Sequence, residues 1–146
     1  MSERTPPPTR ADFPVFYKIQ TRWMDNDVYG HMNNVVHYSL FDTAVNGWLI
    51  EQGLLDPWKG ATYGLVVETG CRYHKEVAFP TPIEAGVKVA KLGGSSVRYE
   101  IGLFAEGAED ACADGFFIHV NVTRDGHKPT PYDETWRAAL SRLIPA

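Results

Sequence analysis

The feature that most constrains the fold is one long helix-like segment in the first third of the chain. Apolar residues recur there at spacings of three and four, which is typical of one buried helical face: Val36, Leu40, Phe41, Ala44, Val45, Trp48 and Leu49. Asn33 or Asn34 can cap the start of this helix, and Gly53 can follow its end. A helix of roughly 20 residues would be about 30 Å long, so its apolar face needs a broad surface to pack against.

Strand-like segments can supply that surface. Residues 13–23 are rich in aromatic and β-branched residues and predict a first strand. Four further strands are predicted after the helix, at about residues 62–76, 83–92, 96–105 and 111–124. Within 83–92 and 96–105, apolar and polar residues alternate, as in a sheet with one buried face. The connections contain Pro or Gly, so successive strands should pair antiparallel.

The order of elements predicts the architecture. A short amphipathic helix should begin near Pro131 or Asp133 and end the chain. Strand, long helix, four strands and short helix form an α+β layout in which a five-stranded antiparallel sheet wraps around one long central helix, the hotdog fold. Residues 13–146 should form a single domain of this type. Residues 1–12 contain three consecutive prolines and are expected to be a disordered Pro-rich tail.

Composition excludes several classes of function. The chain has 146 residues and a formal charge of −4, with 14 Lys and Arg residues scattered along it. A nucleic-acid binder would cluster its basic residues. Cys71 and Cys112 are far apart in sequence, which is typical of reduced thiols in a cytoplasmic protein. Since the first residues lack an apolar signal segment and no run of 18 apolar residues occurs, we expect neither export nor a membrane span.

Polar residues are concentrated between the first strand and the long helix. A helix start presents unpaired N–H groups and a partial positive charge, so carboxylates and oxyanions are stabilised there. Elsewhere, the histidines have none of the short spacings of a metal site, and Ser95-Ser96 lacks the G-x-S-x-G pattern of a serine hydrolase. The sequence therefore predicts a functional site at the helix start, with no metal and no cofactor.

Residues 22–34, RWMDNDVYGHMNN, carry a family resemblance. They resemble the signature of hotdog thioesterases of the hydroxybenzoyl-CoA thioesterase class, which reads roughly R-[WY]-x-D-x-D-x-x-G-H-x-N-N. Residues 94–99 and Lys128-Pro129 are also similar to that family, and the resemblance covers about residues 14–144. It implies an enzyme that hydrolyses an acyl-CoA thioester, forms a homodimer with active sites at the dimer interface, and can pair its dimers into a tetramer.

The resemblance also implies roles for individual residues. Asp27 would be the catalytic carboxylate, acting either as nucleophile or as general base on water. The backbone N–H at Asn34 would polarise the thioester carbonyl. Independently of the resemblance, Asp25 is expected to be structural, either holding the turn or pairing with Arg22. The chain departs from the family at His37, where many members have Tyr, so the acyl group is left open.

Four neighbouring residues are the candidate substrate-binding residues. They are Tyr29, Gly30, His31 and Asn33. Gly30 is expected to adopt a positive φ angle in the turn. His31 can either anchor the turn by a hydrogen bond or line the substrate pocket. Asn33 can cap the helix while the main chain beside it holds the substrate.

Two other functions compete with hydrolysis. A hotdog enoyl-CoA hydratase or dehydratase would use an Asp and a His together. Asp27 and His31 could form such a pair. The hydratase pattern, however, has a different spacing and a Pro before its His, which Tyr29-Gly30 does not supply. The third candidate function is that of a non-catalytic acyl-CoA-binding protein.

Overall fold

The computed structural model describes residues 4–146, in which alternating strand residues cover one face of a long helix. The strands are β1 (Val15–Ile19), β2 (Thr62–Tyr73), β3 (Ile83–Leu92), β4 (Ser96–Ala105) and β5 (Ala113–Thr123), and the helices are α1 (Val36–Glu51) and α2 (Glu134–Ser141). Short 3-10 turns at Arg10–Asp12 and Trp23–Asp25 precede and follow β1. The predicted hotdog architecture is confirmed, with bounds for β3 and β4 that match the prediction.

The sheet has the strand order β1-β3-β4-β5-β2, and all its neighbours are antiparallel. Successive pairing is confirmed for β3, β4 and β5. It is wrong for β2 and β3, because β2 pairs with β5 instead and forms an edge of the sheet. The connection at residues 74–82 is longer than the two to five residues typical of a hairpin, and it carries the chain across the sheet to β3.

The core lies between α1 and one face of the sheet. The inward residues of β3 and β4 are almost fully buried and share a cluster with the apolar face of α1. At Gly115 of β5, an added Cβ atom would overlap the Phe41 ring and the Gly70 carbonyl oxygen. The missing side chain therefore lets α1 lie close to β5.

The ends of the helices are defined by local hydrogen bonds. α1 begins at Val36, later than the predicted cap at Asn33 or Asn34. Asn33 instead organises the turn before the helix, since its side-chain Oδ1 accepts from Val35 N at 3.1 Å and its carbonyl oxygen accepts from Val36 N at 2.9 Å. Gly53 follows the end of α1 with a φ of 72°, as predicted. Neither helix in the described part of the chain has the length and apolar character to cross a membrane.

The segment before β1 runs over the outer face of the sheet. Residues 1–3 of the expected tail lie outside the described residues. Arg10 Nη2 lies 2.8 Å from Glu84 Oε1, and Pro8 O accepts from Ala111 N at 3.0 Å. Phe13 is 7% exposed and lies against Gly86 and Gly102, whose missing side chains leave room for its ring. Residues 8–13 are therefore held against the outer face of the sheet.

Candidate functional site

The connection between β1 and α1 contains a tight turn around Gly30. The Asp27 N–H donates to His31 O at 2.8 Å, and the Gly30 N–H donates to Asp27 O at 3.1 Å. Gly30 has a φ of 81°, a conformation that favours glycine. The conformational role predicted for Gly30 is confirmed. The turn brings the main chains of Asp27 and His31 into hydrogen-bond contact before the helix.

The two aspartates of this connection have opposite surroundings. Asp25 is 2% exposed, and its carboxylate accepts from the Arg22 backbone N at 2.8 Å and from Arg22 Nη2 at 2.9 Å. The pairing predicted for Asp25 and Arg22 is confirmed. Asp27 accepts a hydrogen bond from Tyr29 N at 2.8 Å through Oδ1. Within residues 4–146 its other carboxylate oxygen accepts none, so it is free to meet a ligand.

Among residues 33–36, directly at the start of α1, the N–H of Asn34 is a free donor. The N–H groups of Asn33, Val35 and Val36 donate to Asp25 O, Asn33 Oδ1 and Asn33 O. The hydrogen bonds among the described residues include no acceptor for the N–H of Asn34. The Asn34 carbonyl oxygen, by contrast, accepts from Tyr73 Oη at 2.7 Å. An N–H donor at a helix start is suited to bind an oxyanion.

A cavity of about 580 Å³ brings four of the sequence-predicted residues together: Asp27, Tyr29, His31 and Asn34. Gly30 and Asn33 do not line it. Gly30 is taken up by the turn, and the Asn33 side chain is bonded to the backbone of Val35. The cavity thus joins a carboxylate, an imidazole and a phenol with Asn34, the residue whose main-chain N–H has no acceptor among the described residues.

Histidines and their partners shape the wall of this cavity. His31 Nε2 lies 3.0 Å from Glu76 Oε2. His37 is 4% exposed, and its ring packs edge-on against Tyr73 with 4.8 Å between the ring centroids. Burial lowers the pKa of His37, which favours its neutral form. His31 is therefore anchored by a carboxylate, whereas His37 packs as a neutral aromatic group.

Sequence reasoning missed much of the wall. His37, Tyr73 and the run from His74 to Val77 line the cavity, as does Arg4 from the N-terminal segment. Tyr73 reaches α1 only because β2 pairs with β5 at the sheet edge, and no local pattern encodes that pairing. Among residues 4–146, no group of three or more His, Cys, Asp or Glu residues is placed to hold a metal ion.

Comparison with known proteins gives consistent matches over nearly the whole chain. Residues 21–140 match the model of the thioesterase-like superfamily. The PA5185 protein of Pseudomonas aeruginosa strain PAO1 is 50% identical, with a TM-score of 0.94, covering 97% of this chain and 99% of that one. The uncharacterized protein YsmA of Bacillus subtilis (strain 168) is 24% identical, covering 90% of this chain and 88% of that protein.

A more distant structure shows the same fold. Slr0204, a 1,4-dihydroxy-2-naphthoyl-CoA thioesterase from Synechocystis, is 14% identical to this chain with a TM-score of 0.78. The match covers 88% of this chain and 96% of that one. The similarity to this structure therefore concerns the fold, over most of both chains.

Proposed function

Since the chain belongs to the thioesterase-like superfamily of thioester hydrolases, we propose that it hydrolyses an acyl- or aroyl-CoA thioester to the free acid and CoA. One observation supports the proposal above others. Asp27 and Asn34 line one cavity, and the Asp27 carboxylate and the Asn34 N–H each have unused hydrogen-bonding capacity among the described residues. These are the two groups that attack on a thioester carbonyl requires.

Asp27 is the proposed source of attack. Its carboxylate either adds to the thioester carbonyl, forming an acyl-Asp anhydride that water then hydrolyses, or removes a proton from the water that attacks directly. In both routes the carbon–sulfur bond breaks and CoA leaves as a thiolate, which is a good leaving group because thiols have a pKa near ~8.5.

Asn34 is the proposed source of oxyanion stabilisation. Attack on the carbonyl moves negative charge onto its oxygen, and a positioned N–H donor stabilises that charge by about 3 kcal/mol. Tyr29 and His31 then contact the substrate from the cavity wall. Gly30 and Asn33 act indirectly, by holding the turn and the helix start in place.

Replacing Asp27 by Asn tests this assignment. The amide keeps the size and the hydrogen bond to Tyr29 N but can neither attack nor accept a proton, so thiol release from acyl-CoA should fall by about 10²–10⁴-fold. The reaction is followed with a thiol reagent on a panel of acyl-CoAs, and folding is followed by thermal denaturation. Asp125→Asn makes the same chemical change in the turn after β5 and should keep the activity. Wild-type turnover in D27N would refute the role of Asp27.

The same panel separates the two competing functions. Asp27 and His31 line one cavity, as a hydratase or dehydratase would need. Conversion of an enoyl-CoA without release of thiol would favour that chemistry. Binding of acyl-CoA with neither reaction would indicate a non-catalytic acyl-CoA-binding protein.

Exposed apolar residues support a homodimer that shares this site. Leu65, Val66 and Val67 of the edge strand β2 are 38%, 47% and 60% exposed, and Val28 and Tyr29 beside Asp27 are 94% and 78% exposed. Joining two β2 edges around a two-fold axis would cover the strand and its unpaired backbone groups. The proposed enzyme is a cytoplasmic homodimer, in keeping with its free cysteines, and its dimers can pair into a tetramer.

A further inference from the structure

Three histidines line the cavity that contains Asp27, and they have different surroundings: His31, His37 and His74. His31 pairs with Glu76, but the two side chains are 42% and 74% exposed, so solvent weakens their attraction. Burial lowers the pKa of His37, whose ring packs against an aromatic neighbour. His74 differs from both because its carboxylate partner is shielded from solvent.

The shielded pair consists of His74 and Asp114. His74 Nε2 lies 2.6 Å from Asp114 Oδ1, and the two side chains are 14% and 18% exposed. An ionised carboxylate accepts hydrogen bonds and cannot donate them, so the hydrogen between these atoms is carried by Nε2. In the neutral ring the lone pair is then on Nδ1, which has no hydrogen bond within residues 4–146. The pair therefore fixes one tautomer of His74 and leaves Nδ1 as a proton acceptor.

The sheet holds both members of this pair. The His74 N–H donates to Cys112 O at 2.8 Å, directly after the last residue pair of β2 and β5. Asp114 is the second residue of β5, and its Oδ2 lies 3.6 Å from Arg72 Nη2 on β2. Groups held by strands are positioned more precisely than groups on loops, which suits a residue that must meet a reacting atom.

A second proton acceptor is needed if the Asp27 carboxylate attacks the thioester. Once Asp27 carries the acyl group, it no longer has a carboxylate that could take a proton from water. The water that releases the acyl group must then be activated by another group in the same cavity. His74 lines that cavity with Asp27 and has an oriented, unused nitrogen.

We propose that His74 is the general base of the second half of the reaction, in which water hydrolyses the acyl group carried by Asp27. This inference rests on the proposed thioesterase function and selects the route in which Asp27 attacks first. An imidazole oriented by a carboxylate through one nitrogen is the usual form of a base that serves a nucleophilic enzyme. Asp114 is a positioning residue, because it acts through His74.

The proposed reaction has two steps. In the first, an Asp27 carboxylate oxygen bonds to the thioester carbon, the carbon–sulfur bond breaks, and CoA leaves as a thiolate. In the second, His74 Nδ1 takes a proton from water while the water oxygen bonds to the acyl carbon, and the bond from that carbon to the Asp27 oxygen breaks. The free acid leaves, Asp27 regains its carboxylate, and the proton on His74 passes to the CoA thiolate.

His74→Gln tests the proposal. The glutamine amide keeps a donor for Asp114 but cannot take a proton from water, so Asp27 should still be acylated while release of the acyl group slows by about 100-fold. Rapid-quench measurement of thiol should therefore show a burst of about one equivalent per active site, followed by slow turnover. Added imidazole should restore turnover to His74→Ala, and it should not restore turnover to Asp27→Asn.

Two further variants separate catalysis from structure. His127→Gln makes the same change at an exposed histidine in the turn after β5, and it should show full turnover without a burst. Asp114→Asn keeps the shape of the partner and removes its charge, so it should give a burst with a smaller fall in turnover than H74Q. Thermal denaturation shows whether each variant is folded. A purely structural role of the pair would slow both steps alike and would give no burst.

The outcomes for His74 and for the proposed hydrolysis are distinguishable. Full turnover in H74Q, or slow turnover without a burst, overturns the assignment of His74. If the wild type releases thiol in either case, the thioesterase stands without this base. A wild type that releases no thiol from any acyl-CoA refutes both.

Discussion

At the scale of single residues, the surroundings of a side chain decide its role more than its identity does. Asp25 and Asp27 are two positions apart, yet Asp25 is enclosed by donors from Arg22 whereas Asp27 faces a cavity. A carboxylate whose oxygens already accept several hydrogen bonds has little capacity left for chemistry. An aspartate with an unused oxygen retains that capacity.

The local parts of the site could be predicted from the sequence. The Asp25–Arg22 pair and the turn at Gly30 depend on residues within a few positions of one another. Tyr73 and Arg4 reach the cavity through contacts between residues far apart in the chain. No spacing rule encodes such contacts, so the sequence motif predicted one side of the site and missed the other.

His119 gives a pH prediction at the same scale. It is 4% exposed, its Nε2 has no hydrogen-bond partner among the described residues, and burial lowers its pKa from 6.5 to about 4. In the unfolded chain, His119 binds a proton below about pH 6.5. In the folded protein, it binds this proton only near pH 4 and below. The free energy of unfolding should therefore fall by up to roughly 3 kcal/mol over this range.

His119→Phe should remove this loss, because phenylalanine can keep the stacking on Phe117 but has no proton to bind. The free energy of unfolding is measured in urea at several pH values between about 4 and 7. His127→Asn, at an exposed position with a φ of 51°, should keep the wild-type dependence. An unchanged slope in H119F would show that other groups cause the loss.

At the scale of elements, the contact between α1 and β5 fixes where the helix start lies. Phe41 occupies the space that a side chain at position 115 would fill, one turn after the helix begins. A shift of α1 away from the sheet would carry the Asn34 N–H with it. Gly115 therefore helps to position the proposed oxyanion donor, although it lies outside the cavity.

Gly115→Ala tests this contact. The added methyl group overlaps the Phe41 ring and the Gly70 carbonyl oxygen, so we expect a loss of about 1–3 kcal/mol in the free energy of unfolding. Gly94→Ala is the control, since a Cβ there has no heavy atom within 4 Å. Chemical denaturation compares the two variants. Equal stabilities would mean that α1 and β5 are not in close contact.

The sequence defines elements better than it defines their partners. Apolar and polar residues alternate over most of β3 and β4, and both strands have their predicted bounds. β2 was predicted beside β3, but it lies at the edge beside β5. Periodicity reports which face of a strand is buried, and this property is the same whichever strand lies next to it.

At the scale of the whole molecule, the edge strand β2 predicts the state of assembly. Val67 is 60% exposed beside the irregularity in the β2–β5 pairing. Light scattering should give the wild type twice the chain mass of 16.3 kDa, and Val67→Lys should give 16.3 kDa because a charge would be buried in the interface. Ile144→Lys changes an exposed residue after α2 and should leave the mass unchanged. A wild-type monomer at micromolar concentration would refute the dimer.

The segment before β1, residues 4–13, also determines how the protein should be handled as a reagent. Arg4 lines the cavity, so a bulky fusion partner on the N-terminal side would be attached within a few residues of the proposed site. The C-terminal residues follow α2, where Val89 N donates to Leu143 O at 2.9 Å, at the end of β3 away from Ile83. Tags, surface attachment and fluorescent fusions therefore belong at Ala146.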